Sequence, residues 1–150
     1  MGRIYDAMLK FFKEDDWPIA EIEGKPLIRT AFSGDNGRWS CFAQAREEQE
    51  QFIFYSILEA HVPEDKRQVM AEFITRANYG MVIGNFEQDF SDGEIRYKTS
   101  VDVEGCEITS SLIKNLVYTN ARLMDRYLPG IMKVIYGGAT PEVAIKEIEG

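Results

Sequence analysis

Residues 84–103 have the sequence GNFEQDFSDGEIRYKTSVDV, in which two alternating stretches flank a turn signal. Asp92-Gly93 lies at the centre, and this dipeptide favours the tight two-residue turn that joins neighbouring antiparallel strands. Residues 84–90 and 95–103 alternate between apolar and polar side chains, as expected of strands with one buried face. The segment therefore predicts a β-hairpin.

The turn also predicts the register of this hairpin. With Asp92-Gly93 as the central residues, Asp89 faces Arg96. Glu87 then faces Lys98, so two pairs of opposite charge share one face of the sheet. The other face carries the predicted pairs Phe90–Ile95, Gln88–Tyr97 and Phe86–Thr99. A slip of one residue would move each side chain to the wrong face, so turn chemistry and alternation support one another.

Three further strands are predicted upstream. Residues 26–32 and 39–45 flank a turn at 34–37, for which Asn36-Gly37 are the expected central residues. This turn predicts the pairs Asp35–Arg38 and Phe32–Cys41. Residues 52–58 (FIFYSIL) are apolar on both faces, which predicts a central strand covered by helices on one side and by something else, such as a partner subunit, on the other. A short additional strand is possible at 19–22.

Four helices complete the pattern. Residues 3–16 carry apolar side chains at helical spacing, and so do a second segment that ends at Gly80 and a long one from Thr109 onward. Pro129 is expected to kink or break the long helix, and Gly137-Gly138 to end it. Thr140 is the expected N-cap of a last short helix that starts with a proline.

The element order predicts an α+β fold. Its expected form is a mainly antiparallel sheet of about five strands with helices packed on one face, in the order α-β-β-β-α-β-β-α. At 150 residues, with 45% hydrophobic side chains, the chain is expected to form a single domain over 1–150.

The net charge of −8, from 25 acidic and 17 basic side chains, argues against binding to nucleic acid. Basic and acidic residues are interspersed along most elements, so no basic patch is expected. No apolar stretch is long enough for a signal peptide or a membrane span, which predicts a cytoplasmic protein without membrane contact. In that compartment Cys41 and Cys106 are expected to be buried free thiols, although a disulfide between them is the alternative.

The sequence contains no recognisable catalytic or metal-binding pattern. His61 is the single histidine and lies before Val62-Pro63, where an incidental or structural role is favoured over that of a base. Zinc sites need three or four convergent ligands, and two isolated cysteines do not supply them. The glycine pairs have turn and cap explanations, and no phosphate-binding loop follows a strand. We therefore expect no enzyme activity, no cofactor and no metal.

Two features point beyond a plain globular fold. Asn120 is the one polar residue on the apolar stripe of the long helix, where it could fix helix pairing, make a buried hydrogen bond or sit at the edge of the stripe. The chain also has more apolar surface than a lone subunit easily covers, which favours a dimer or a client protein.

The chain resembles a known family in several stretches: 73–80 (FITRANYG), 84–87 (GNFE), 92–97 (DGEIRY), Asn120, 124–125, 127–129, and 135–138 with Pro141. They are similar to the YbjN family, particularly its cyanobacterial branch. The resemblance implies an architecture like that of type III secretion chaperones, with an antiparallel sheet, helices on one side and assembly as a homodimer. Members are named regulators of sensory transduction. No catalytic motif accompanies the likeness, and a shared fold does not transfer a role.

These observations favour a non-enzymatic, chaperone-like or regulatory module that binds proteins and acts as a homodimer, with a client that the sequence does not identify. The alternative is a small-molecule sensor or an uncharacterised enzyme with a pocket near Asn78, Tyr79, Asn85 and Asn120. The candidate partner or ligand surface comprises Arg76, Asn78, Tyr79, Asn85, Asn120 and Tyr127.

Overall fold

Six strands form one antiparallel sheet in the computed structural model, which describes residues 2–150. The strands are β1 (Ala20–Glu21), β2 (Leu27–Ser33), β3 (Arg38–Arg46), β4 (Gln51–Ile57), β5 (Asn85–Gln88) and β6 (Ile95–Asp102). The helices are α1 (Arg3–Glu14), α2 (Arg67–Asn78, after a 3-10 turn at Glu64–Lys66), α3 (Ser110–Ile135) and α4 (Pro141–Glu149). The predicted α+β class and antiparallel sheet are confirmed, and the possible strand at 19–22 is present as β1.

The strand order is β1-β2-β3-β4-β6-β5, and the helices cover one face. Strand residues on that face, such as Phe54 and Tyr97, share a single buried core with α1, α2, α3 and α4. The long helix α3 contacts the central strands β4 and β6, while α4 packs against α2 and α3. Among residues 2–150, no helix combines the length and apolarity that crossing a bilayer requires.

Within the part of the chain that the structure describes, no helix packs on the other face of the sheet. Its middle holds Ile53, which is buried, and Phe42, Tyr55 and Ile57, which are half-buried. We call this surface, made of the outward strand residues, the open face. Among residues 2–150, side chains such as Arg96, which lies over the Tyr55 ring, cover the outward residues of 52–58 in part, and no helix does so.

The β5–β6 hairpin is confirmed, but its predicted register is wrong by two residues. Glu87 lies opposite Arg96, and Gln88 lies opposite Ile95. Glu87 nevertheless contacts both neighbouring cations, with 2.7 Å to Arg96 Nε and 3.1 Å to Lys98 Nζ. A shift of two residues leaves each side chain on its predicted face, because the period of a strand is two.

The register differs because the loop has four residues. The backbone N–H of Asp89 donates to the carbonyl of Glu94, which leaves 90–93 as the loop. Asp89 therefore does not pair with Arg96, and its carboxylate accepts hydrogen bonds from the N–H and hydroxyl of Ser91. Gly93 has φ of +80°, and a Cβ there would lie 2.2 Å from the carbonyl oxygen of Val62. Close contact with another segment thus selects the longer loop.

The β2–β3 register is likewise two residues from the prediction. Phe32 lies opposite Trp39 and Thr30 opposite Cys41, so the loop is centred on Asp35-Asn36. Type I′ geometry needs positive φ at both central residues, and no residue in 34–37 has it. The reason is again a tertiary contact, because this loop is bound to α3.

Asp125 of α3 holds the loop with three hydrogen bonds. Its carboxylate accepts from the backbone N–H groups of Asp35 (3.1 Å) and Asn36 (2.9 Å). Its backbone carbonyl accepts from Nδ2 of Asn36 at 2.9 Å. A Cβ on Gly34 would lie 2.3 Å from Oδ1 of Asp125, so only glycine allows this approach.

The same contact explains why α3 continues through Pro129. A proline has no N–H for the carbonyl four residues earlier, which here belongs to Asp125. Asn36 supplies the missing donor from outside the helix. Of the predicted kink or break at Pro129, the break is wrong, because α3 runs for 26 residues through this position. The predicted N-cap Thr140 is confirmed by its hydrogen bond from the backbone N–H of Val143, and Thr109, where the long helix was expected to start, caps α3 in the same way.

Both cysteines are free, but their surroundings differ. Cys41 is buried beside Ser56, and burial raises the pKa of its thiol to about 12. Cys106 is exposed, so its predicted burial is wrong. It follows Gly105 in a loop whose carbonyls accept hydrogen bonds from Arg3.

The loop contact predicts a measurable coupling between Asn36 and Pro129. Asn36→Ala should lower the free energy of unfolding by about 1 kcal/mol, the usual worth of one hydrogen bond. In a Pro129→Ala background the Asp125 carbonyl regains its helical donor, so the same change should cost less. Urea unfolding of the four proteins gives the coupling.

Asp35→Ala is the matched control, because it keeps the backbone N–H that donates to Asp125. It should leave stability nearly unchanged. An equal cost of Asn36→Ala in both backgrounds would contradict the assignment.

Candidate functional site

Asn78, at the end of α2, binds the free edge of the sheet. Its Oδ1 accepts from the backbone N–H of Phe86 at 2.7 Å, and its Nδ2 donates to the carbonyl of the same residue at 3.1 Å. β5 is an edge strand, so these backbone groups would otherwise face outward. The carboxamide of Asn78 thus takes the place of a neighbouring strand.

Asn120 is fully buried between α3 and the sheet. Its Nδ2 donates to the carbonyls of Phe54 (2.9 Å) and Tyr97 (3.0 Å), and it lies 3.2 Å from Oγ1 of Thr99. The Thr99 hydroxyl donates in turn to the carbonyl of Leu116, one turn earlier on α3. Of the three interpretations left open by the sequence, the structure shows the buried hydrogen bond, and it joins helix to sheet rather than helix to helix.

Asn85 and Arg76 have local partners. Nδ2 of Asn85 donates to the carbonyl of Phe86 at 3.2 Å. Arg76 pairs with Glu72 one helical turn earlier on α2, 2.9 Å away, and both side chains are exposed. Exposed pairs of this kind contribute little to stability, and neither contact indicates a ligand site.

Tyr127 is buried on α3, and its hydroxyl donates to Oε2 of Glu149 at 2.5 Å. Burial, followed by this hydrogen bond, raises the pKa of Tyr127 to about 12. The phenol is therefore protonated at neutral pH and acts as a donor. It joins the end of α4 to the middle of α3.

Tyr79 is the one predicted site residue that is nearly fully exposed, at 91%. It begins a stretch that we call the apolar segment, residues 79–83 (YGMVI), between α2 and β5. Val82 is 90% and Ile83 is 45% exposed. No charged residue occurs from Tyr79 to Asn85.

The backbone of the apolar segment is held in place. The buried hydroxyl of Tyr97 donates to the carbonyl of Ile83 at 2.6 Å and contacts the Met81 sulfur at 3.6 Å. A Cβ on Gly84 would lie 2.6 Å from the carbonyl oxygen of Lys98, so the chain passes close to β6 at this point. Met81 is thus turned inward, while Val82 is presented to solvent by a fixed backbone.

A depression of about 460 Å³ lies behind the apolar segment. Its lining residues are Ala77, Tyr79, Gly80, Met81, Val82, Ile83, Thr119, Leu123, Arg126, Tyr127 and Glu149. Of the predicted site residues, the structure brings Tyr79 and Tyr127 together here. Arg76, Asn78, Asn85 and Asn120 do not line it, and the three asparagine amides already bind backbone groups.

Met81, Val82 and Ile83 were missed by sequence reasoning. Three apolar residues directly before a predicted strand resemble the start of that strand, so the sequence gives no sign that they are exposed. The available sequence signal was the pair of glycines at 80 and 84, because the residues between them are too few for a separate strand. In the structure both glycines have positive φ. Within residues 2–150, no group of three or more His, Cys, Asp or Glu side chains is arranged to hold a metal ion.

Residues 5–132 match the family described as "YbjN: Putative bacterial sensory transduction regulator". The chain belongs to the YbjN family. The family likeness noted in the sequence is therefore confirmed, and several of the residues that carry it have structural roles. Asn78 covers the sheet edge, Asn120 joins α3 to the sheet, and Asp125 holds the β2–β3 loop.

Solved structures share this fold at low sequence identity. YbjN from E. coli aligns with a TM-score of 0.62 at 11% identity, covering 87% of each chain. The HopA1-SchA chaperone–effector complex aligns at 0.50 and 15% identity, covering 81% of this chain and 91% of that one. The Yersinia pestis type III secretion chaperone SycH, solved with a fragment of YscM2, aligns at 0.50 and 9%, covering 79% and 94%. A comparison with curated proteins gave no significant match.

The position of Asn120 predicts a structural effect of its substitution. Asn120→Ala removes donors from two buried carbonyls and leaves a small cavity, which should lower the free energy of unfolding by about 2–4 kcal/mol. Thr119→Ala, at the neighbouring position that lines the depression, should change it by less than about 1 kcal/mol. Chemical denaturation measures both, and an unchanged stability of Asn120→Ala would contradict the structural role.

Proposed function

We propose that this protein is a non-enzymatic, chaperone-like module of the cytoplasm that binds other proteins and acts as a homodimer. The observation that carries the proposal is the exposed apolar segment, with Tyr79 and Val82 almost wholly in solvent. Contiguous apolar surface of this kind marks protein interfaces. A backbone fixed by Tyr97 also reduces the ordering cost of binding.

The distribution of charge favours a second copy of the chain as the partner at this segment. Each chain carries a net charge of −8, so two copies repel unless they meet where charge is lowest. Residues 79–85 have no charged side chain. In a two-fold dimer the same segment would meet itself, and an uncharged apolar surface is compatible with that arrangement.

Binding of a client is supported by the fold. Two of the solved proteins that share it were determined with protein partners, one in a chaperone–effector complex and one with a protein fragment. A non-enzymatic role is favoured by the catalytic inventory, because the single histidine lies at an exposed position where its Nδ1 meets the carbonyl of Asp92. A small-molecule pocket is less favoured, since three of its four predicted residues are used in internal hydrogen bonds.

The dimer predicts a clear effect of a charge in the apolar segment. Val82→Asp should convert a dimer into a monomer, because two carboxylates would be buried opposite each other at a two-fold contact. Sedimentation velocity at several concentrations measures the change. Val82 is exposed, so the substitution should not disturb the fold of the single chain. Circular dichroism of the monomer should therefore show unaltered secondary structure.

Tyr136→Asp is the matched control. Tyr136 is 72% exposed at the end of α3 and does not line the depression behind the apolar segment. This variant should remain a dimer. A wild-type protein that sediments as a monomer at all concentrations would refute the proposed assembly.

A further inference from the structure

The open face of the sheet has a charge opposite to that of the rest of the molecule. Its charged strand residues are Arg29, Arg38, Arg46, Arg96, Lys98, Glu87 and Asp102. Five cations against two acids give this face +3, and because the whole chain carries −8, the remaining residues carry −11. The expectation that no basic patch exists is wrong here, because strand alternation sorts interspersed charges onto one face.

Cations and aromatic rings form one row across this face. Arg29 lies opposite Phe42, Phe42 opposite Tyr55, and Tyr55 opposite Lys98 in successive strand pairs. Neighbouring strands are about 4.8 Å apart, so the two cations stand about 14 Å apart with two rings between them. The guanidinium of Arg96 also lies over the Tyr55 ring, 4.4 Å from its centre.

The row leads into a depression of about 680 Å³ at the β1–β3 side of the sheet. Arg29, Arg38, Ser40 and Glu59 are among its lining residues. At the opposite side Glu87 pairs with Arg96 and Lys98. One carboxylate thus faces two cations on that side, while Arg29 and Arg38 share the depression with the single acid Glu59, so a net positive charge remains at both ends of the row. The half-buried ring of Phe42 lies between these ends, next to Arg29.

We propose that the open face binds an extended peptide segment of a client protein in which two acidic side chains flank an apolar one. Extended chains advance about 3.4 Å per residue, so acids four residues apart span about 14 Å and match Arg29 and Lys98. The apolar side chain between them points the same way and meets Phe42 and Tyr55. Charge complementarity selects such a segment, and the acidic remainder of the molecule repels acidic chains elsewhere.

Nucleic acid fits this face less well. Nucleic-acid-binding domains are usually strongly basic, whereas this chain has an isoelectric point near 4.7. One face of the Tyr55 ring already holds Arg96, which limits base stacking. The inference therefore specifies the client class of the proposed protein-binding function and rests on it.

The test is a titration of the isotope-labelled protein, followed by backbone amide NMR. The probe is a synthetic dodecapeptide with Glu-Ser-Phe-Ser-Glu at its centre, and the control peptide has lysine at both glutamate positions. Shifts should be confined to β2, β3, β4 and β6, should appear only with the acidic peptide, and should weaken as salt rises.

Variants locate the contact. Arg29→Glu should weaken binding by about tenfold or more, and Phe42→Ala should weaken it without changing its salt dependence. Lys10→Glu changes the net charge by the same amount as Arg29→Glu, but at an exposed position of α1, and this variant should bind like the wild type. Thermal unfolding of each variant confirms that the fold is kept.

Each remaining outcome overturns the inference. Shifts absent at millimolar peptide, or located on the helices, would remove the site. Tighter binding of single-stranded oligouridylate to the same strands would assign the face to nucleic acid. Concentration-dependent shifts of β2, β3 and β4 without peptide, in the Val82→Asp variant, would assign it to a second copy. The peptide-binding proposal and the dimer proposal can be tested independently. Val82→Asp should still bind the peptide, and Arg29→Glu should still dimerise.

Discussion

The carboxamide of Asn120 holds the longest helix against the middle of the sheet. It is a fully buried polar side chain on an apolar helix surface, and it reaches backbone carbonyls of both central strands. Apolar packing between a helix and a sheet tolerates sliding, because methyl groups have no directional partners. A carboxamide with fixed acceptors does not, so Asn120, together with the Thr99 hydroxyl that donates to the carbonyl of Leu116, fixes the axial position of α3. Everything that α3 carries, including the loop contact at Asp125 and the end of α4 at Tyr127, depends on that position.

The elements and their faces followed from sequence because they depend on local periodicity. Period-two alternation placed strand residues on the correct side. Helical spacing marked the start of α3, and a threonine cap marked the start of α4. Both hairpin registers were wrong by two residues for one physical reason. Tertiary contacts, with Asp125 at one loop and with Val62 at the other, determined the conformation of each loop and so the register of its strands. Such contacts cannot be deduced from the dipeptide at the turn.

The candidate site was less accessible to prediction. Asparagines at 78 and 120 stand out in a sequence, but the type of residue does not tell whether its amide meets a ligand or a backbone. Here both meet backbone. The basic open face was invisible for a different reason, since its cations are spread over three strands between residues 29 and 98 and gather only through pairing. Two distinct surfaces emerge, an uncharged apolar segment and a cationic sheet face, which can serve assembly and client binding without competing.

The hydrogen bonds of Asn78 have a consequence for the molecule at high concentration. A free strand edge is a template onto which other chains can add, and repeated addition leads to fibrous aggregates. The side-chain amide of Asn78 forms hydrogen bonds with both outward backbone groups of Phe86. Another chain therefore cannot pair with β5 at this residue, and no additional strand is needed to cover it. At the β5 edge, exposed surface that could hold another chain is therefore limited to side chains, and backbone pairing with further strands is blocked at Phe86.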